Sequence, residues 1–189
     1  MDKKLNSLLE HDEKLLWSGR PERFETLDKT NKKSIVIGLI IKVIVALGLT
    51  LGYIHAARSA AGIKPGIIVV LLAIFAWAVA NPFLIARRLR EKTIYGLTDR
   101  RVLRAGANDE SVPYDRMKSV VLRTDADGHT TLLCGPRTKD LKPHQWRGEA
   151  DAAFINGPDD PECVRLILYA LPMSVKLKMI LEDHLSISQ

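Results

Sequence analysis

The side chains capable of chemistry are few and scattered. Two cysteines, Cys134 and Cys163, have 28 residues between them, and the five histidines (His11, His55, His129, His144, His184) stand singly. A zinc site needs thiols or imidazoles at short spacing, and a disulfide framework needs more cysteines. The expectation is free thiols in a reducing compartment, with no metal and no cofactor. Asp125 and Asp127 beside Gly128 have the composition of a turn, and too few oxygen ligands follow for a calcium loop. A nucleophile beside a base, paired carboxylates and a phosphate-cradling glycine loop do not occur, so no enzymatic activity is expected. The side chains that do form a pattern are cations. Arg87, Arg88 and Arg90 close a long apolar run, and Arg100, Arg101 and Arg104 follow at a turn. Guanidinium groups so placed suit anionic lipid head groups.

The net charge of +6 over 189 residues invites a nucleic-acid reading, which its distribution opposes. Residues 1–92 hold 15 Lys and Arg against 8 Asp and Glu, a balance of +7. Residues 93–189 hold 13 against 14, a balance of −1. The excess lies beside the apolar runs, which favours a membrane surface over a nucleic acid.

Those runs are SIVIGLIIKVIVALGLTLGY, residues 34–53, and IIVVLLAIFAWAVANPFLI, residues 67–85. About 20 residues at 1.5 Å rise cross a hydrocarbon core of roughly 30 Å. A hairpin over 34–85 is expected, with spans at 34–54 and 67–85. The first span lies behind 33 highly charged residues, too late for a cleavable signal peptide. Lys29, Lys32 and Lys33 precede it, and Arg87, Arg88, Arg90 and Lys92 follow the second, whereas the connecting loop carries only Arg58 and Lys64. The positive-inside rule then places both termini in the cytoplasm of an integral protein of the cell's inner or plasma membrane. Lys42, inside the first span, costs roughly 2.5–3.5 kcal/mol on insertion scales, and its stem is expected to reach the Asn81 amide or interfacial water. Gly48 and Gly52, and Ala76 and Ala80, have the small-residue spacing that closes a hairpin or joins two copies into a homo-oligomer.

Beyond the hairpin, β-branched and aromatic residues flank short polar turns. TIYGL and RVLRA around Thr98–Arg100 form one strand pair, and ESVPYDRMKSVVLRT forms another around Tyr114–Arg116. HTTLLCG, 129–135, is a further strand; 136–151 has the composition of a loop; AAFIN, 152–156, is a short strand. Asp159 or Asp160 followed by Pro161 begins a helix expected over about 159–170, with Val164, Ile167, Leu168 and Leu171 toward a core. The division expected is an N-terminal segment 1–33, the hairpin, a domain over 93–171, and a tail or helix over 172–189. Leu8, Leu9, Leu15, Leu16 and Trp17 form an apolar set expected to pack on the domain or the membrane interface.

Tyr95-Gly96-Leu97-Thr98-Asp99-Arg100-Arg101 resembles the Y-x-L-T-x-x-R opening of bacterial pleckstrin-homology-like domains in small membrane proteins. Leu16-Trp17-Ser18-Gly19-Arg20-Pro21 is similar to the W-x-G-R-P stretch ahead of the two-helix hairpin in that family, and FINGPDDPECVRLIL to its last strand and closing helix. The resemblance covers roughly residues 8–171 and departs at 124–151, where the family often has a glycine-rich strand. It implies an α+β membrane protein: a transmembrane hairpin followed by a pleckstrin-homology-like antiparallel barrel or sandwich capped by a C-terminal helix. The function expected is a binding or scaffold module offered to membrane or cytoplasmic proteins, or to membrane lipids of negative charge. The alternative is an oligomeric permeation subunit for ions or small solutes.

Overall fold

In a computed structural model of the chain, residues 3–59, 62, 64–117, 119–135, 138, 140–152, 166–185 and 187–188 are described. A single helical turn, α1 (Lys3–Asn6), leads to strand β1 (Leu15–Gly19). Two long helices follow, α2 (Lys29–Ser59) and α3 (Pro65–Lys92). Then come β2 (Ile94–Thr98), β3 (Arg101–Ala105), β4 (Glu110–Pro113), a 3-10 turn (Tyr114–Arg116), β5 (Val120–Thr124), β6 (Thr130–Cys134) and helix α4 (Pro143–Asp151). The chain closes with β7 (Leu166–Leu168), helix α5 (Val175–His184) and β8 (Ile187–Ser188).

Helices α2 and α3 are each long and apolar enough to cross a membrane, and they pack against one another. Long aliphatic runs form most of each helix, interrupted by Lys42 in α2 and by Asn81-Pro82 in α3. Proline at the first position of α3 supplies a preset φ where no N–H is needed. Both helices outrun the spans read from the sequence. Residues 86–92, left between the expected hairpin and the expected domain, continue α3 through Lys92, and Thr93 alone separates it from β2.

The strands form two four-stranded sheets, in the orders β1-β2-β3-β4 and β7-β6-β5-β8. All pairings are antiparallel except β5 with β8. Among the described residues they do not close into a barrel. β1 pairs with β2, Trp17 opposite Leu97, so strands from before and after the hairpin share one sheet. In the β2–β3 turn the Thr98 hydroxyl accepts the backbone N–H groups of Arg100 and Arg101, at 3.1 and 2.9 Å. A Cβ on Gly19 would lie 2.5 Å from the Trp17 ring, which is why the Trp-Ser-Gly spacing ends in glycine.

Tyr95, Leu97, Val102 and Val112 of the first sheet meet Val120, Leu132, Cys134, Leu166 and Leu168 of the second in one buried cluster. Helix α5 closes it with Leu177 and Leu181, both fully buried and worth roughly 1.5–3 kcal/mol each. Trp17 packs against the same cluster, and Leu8, Leu9 and Leu15 pack against Leu5, Ile94, Leu103 and Ala105, so these four of the N-terminal apolar set lie on the domain. The outer face of the second sheet is also covered. Leu133 and Ile167 pack there with Trp146 and Ala150 of α4, Ala86 and Leu89 of α3, and Phe24. Leu5 seats over the first sheet at Gly96, where a Cβ would stand 3.0 Å from its methyl.

Four local readings are corrected. The strands on either side of Tyr114–Arg116, expected to pair with one another, belong to different sheets: β4 pairs with β3, and β5 lies between β6 and β8. Residues 166–168, expected within a helix over 159–170, are strand β7, and Ala170 turns the chain at φ 52. A short apolar run buried on both faces has no period that separates strand from helix. The closing helix is α5, in the segment expected to be a tail or helix; its N-cap is Ser174, whose hydroxyl accepts the Leu177 N–H at 3.2 Å. Within the expected loop 136–151, residues 143–151 form α4, begun by Pro143 and by the Gln145 side chain accepting the Lys142 N–H. The expected strand 152–156 and the helix start at Asp159–Pro161 lie outside the described residues, apart from Ala152, which is not in a strand.

Candidate functional site

The six arginines expected at a membrane surface take four different places. Arg101 turns inward: its Nε and Nη2 donate to the two Glu13 oxygens at 2.9 and 2.8 Å, and Nη2 also to the Leu8 carbonyl at 2.9 Å. Glu10 completes the pairing at 3.0 Å. The Arg101 guanidinium holds the Glu13 carboxyl far below the usual range, at about 2. Arg104 is buried. It pairs with Glu110, its cross-strand neighbour, at 2.6 Å, and donates to the carbonyls of Ala150 and Ala152. It offers no surface to a head group. Arg100 stands exposed at the β2–β3 turn.

Arg87, Arg88 and Arg90 line the last turns of α3. Arg87 pairs with Glu91 at 2.9 Å, and Arg90 donates to the Phe24 carbonyl at 3.2 Å. Arg88 pairs with Asp151 of α4 at 2.7 Å. Burial pushes the Asp151 carboxyl up from its ordinary value.

A residue without a sequence signal organises this junction. Arg147 of α4 lies over the Phe24 and Tyr169 rings, at 4.5 and 5.2 Å from their centroids. It donates to the carbonyls of Thr26 and Glu25, to the Tyr169 hydroxyl and to the Asp28 carboxylate. Asp28 also accepts the backbone N–H and side-chain amide of Asn31, each at 2.8 Å, within the first turn of α2. Tyr169, pushed up to about 12 by burial, donates to Asp125 at 3.4 Å.

The β5–β6 turn reaches the same helix end. Asp125 shapes the turn by accepting the N–H groups of Asp127 and His129, both at 2.9 Å. Asp127 then accepts the N–H groups of Lys29 and Thr30 at 3.1 and 2.9 Å, and the Thr30 hydroxyl at 2.7 Å. Its bonds with Thr30 hold its carboxyl below the usual range. The start of α2, with its unpaired N–H groups and positive dipole end, is capped by a carboxylate 97 residues away in sequence.

Within the hairpin, Lys42 does not reach Asn81. Its ammonium donates to the Ala78 carbonyl at 2.7 Å. Pro82 stands four residues beyond Ala78 and has no N–H to give it, so the lysine meets a carbonyl that the helix leaves without its usual partner. Apolar side chains surround the pair, among them Ile41, Val45, Leu71 and Phe75, around a groove of about 220 Å³. A Cβ on Gly48 or Gly52 would meet nothing within 4 Å, so this glycine pair does not close the hairpin.

These groups bind one another. Arg147, Asp28, Asp127, Arg88 and Asp151 fasten three elements, the start of α2, the end of α3 and the second sheet with its helix α4. Among the described residues, no cluster of three or more His, Cys, Asp and Glu has a geometry for holding a metal ion. Asp28 had a local signal, a helix-cap residue immediately before the first helical residue. Asp127 and Arg147 had none, because their partners are distant in sequence. No family model, curated protein or solved structure matches the chain.

Proposed function

We propose that this chain is a membrane-anchored binding or scaffold module: α2 and α3 span the membrane, and a pleckstrin-homology-like domain is held rigidly against its cytoplasmic face. The observation that carries the reading is the capping of α2 by Asp127, a residue of the sheet domain. It is reinforced by Arg147 on Asp28 and Arg88 on Asp151. Exposed aliphatic residues along both helices, such as Ile44, Leu51 and Val69, suit a hydrocarbon surround. The two four-stranded sheets closed by a C-terminal helix support a pleckstrin-homology-like architecture whose first strand precedes the hairpin. A rigidly placed domain presents its free surface at a fixed height and orientation, to protein partners or to anionic lipid. Lys42 on the Ala78 carbonyl, within an apolar surround, favours a structural role for that lysine over a permeation path.

Labelling with an impermeant thiol reagent tests the arrangement in a Cys163→Ser background. Cys134 is fully buried, its thiol pushed up to about 12, and does not compete. Lys64→Cys should react in intact cells and Val175→Cys only after lysis. The reverse pattern, or recovery of the chain in the soluble fraction, would refute the reading.

A further inference from the structure

Resting on that membrane reading, we infer that the outer stripe of α3 is a binding site for one anionic phospholipid of the cytoplasmic leaflet. A recess of about 460 Å³ follows this helix from Trp77 to Lys92. Fifteen residues at 1.5 Å rise make it about 22 Å long, close to half of a bilayer about 40–45 Å thick including its head groups.

The two ends of the recess differ as the two ends of a phospholipid do. Trp77, 65 % exposed, and Leu84, 43 % exposed, offer apolar surface at the deeper end. Arg87, Arg88 and Lys92 stand at the other end, with Glu91 the single carboxylate on the wall. The polar groups are mostly donors with nitrogens left over. The Arg88 Nε is buried without a partner, while Asp151 holds that side chain in place through Nη2. Lys92 is exposed and has no ion pair among the described residues. Arg87 uses its Nε on Glu91 and keeps its two terminal nitrogens. Between the two ends, the Asn81 amide has no partner among the described residues. A wall rich in unmatched donors takes a ligand that only accepts, and a phosphodiester has that property. Its continuation into apolar surface selects a lipid over free phosphate.

Native mass spectrometry of the delipidated full-length protein in non-ionic detergent tests this, with dioleoyl phosphatidylglycerol, dioleoyl phosphatidylcholine and inorganic phosphate as probes. We expect one phosphatidylglycerol to be retained over phosphatidylcholine by roughly tenfold. The double variant Arg87→Gln/Lys92→Gln should lose that preference at unchanged thermal stability. Arg58→Gln/Lys64→Gln, which removes the same charge from the opposite end of the hairpin, should keep it. Absence of a preference in the wild type, equal loss in the control variant, or displacement of the lipid by inorganic phosphate would each overturn the site. Carbonate extraction of the source membranes separates the two levels. A chain retained in the membrane without lipid preference refutes only the site, whereas a chain released to the soluble fraction refutes the anchoring reading as well.

Discussion

The two ends of the hairpin are built differently. At the far end the Tyr53 hydroxyl of α2 accepts the N–H of Lys64, the residue before α3, at 2.9 Å and lies 3.2 Å from the Lys64 carbonyl. At the base, Asp28 and Arg147 are buried together, Asp127 caps α2, and Arg88 fastens α3 to α4. Specific polar bonding is concentrated where the hairpin meets the sheets, and along the rest of the hairpin apolar packing is joined by Lys42 on the Ala78 carbonyl across the two helices. Variants at the two ends should therefore differ widely in effect.

Arg147→Ala should have the largest effect. It leaves the buried Asp28 carboxylate without its guanidinium, a loss of about 3–5 kcal/mol for a broken buried pair. Denaturant unfolding in detergent should show that loss, and limited proteolysis should open the chain near residues 20–28. A change no larger than that of Tyr53→Phe would remove the contrast between the ends.

Acid should loosen the N-terminal segment that feeds the base. Arg101 depresses Glu13 from an ordinary 4.5 to about 2, so the stability this pair contributes is complete above pH 4.5 and is lost as pH falls through about 2. In thermal melts, the advantage of the wild type over Glu13→Gln should be constant above that window and shrink within it. A difference independent of pH would assign the effect to packing instead.

Lys42 and Pro82 sharpen the comparison from inside the hairpin. In the native background Lys42→Met strands the Ala78 carbonyl, whereas in a Pro82→Ala background the new N–H can take it. A double-mutant cycle should give a coupling of about 1 kcal/mol, within the range for residues sharing one partner. Additive single effects would show that the lysine and the proline act independently.

Asp127→Ala removes a cap and should cost about 1 kcal/mol. Tyr53→Phe, at the opposite end, should stay within about 0.5 kcal/mol. Equal effects on thermal stability would mean that the cap does not join sheet to helix.

Much of this architecture is legible in the residues, and the exceptions have physical causes. The two apolar runs announce two long helices, and the alternation in IYGLTDRRVL announces a hairpin of strands that the structure contains as β2 and β3. Helix α4 hides because it is polar and short, burying chiefly Trp146, Arg147 and Ala150 beneath a proline start. Strand β7 hides because Leu166, Ile167 and Leu168 are buried on both faces, which erases the alternation a strand shows when one side is wet. Arg101 and Arg104 have the composition of a surface basic patch, yet their partners Glu13 and Glu110 draw them inward. Glu110 lies six residues from Arg104, but only the strand register shows that the two are opposite. The junction was the least legible part, because Asp127 and Arg147 act across 97 and 119 residues of sequence.

Hairpin and sheet domain should move as one body, and a distance distribution between them reads this out. Spin labels at Leu51→Cys on α2 and Met179→Cys on α5, both exposed, place one probe toward the far end of the hairpin and one on the domain. Double electron–electron resonance on the Cys163→Ser protein in lipid nanodiscs should give a single narrow distribution, which Arg147→Ala broadens. A broad distribution in the wild type, unchanged by that substitution, would mean that hairpin and domain move independently.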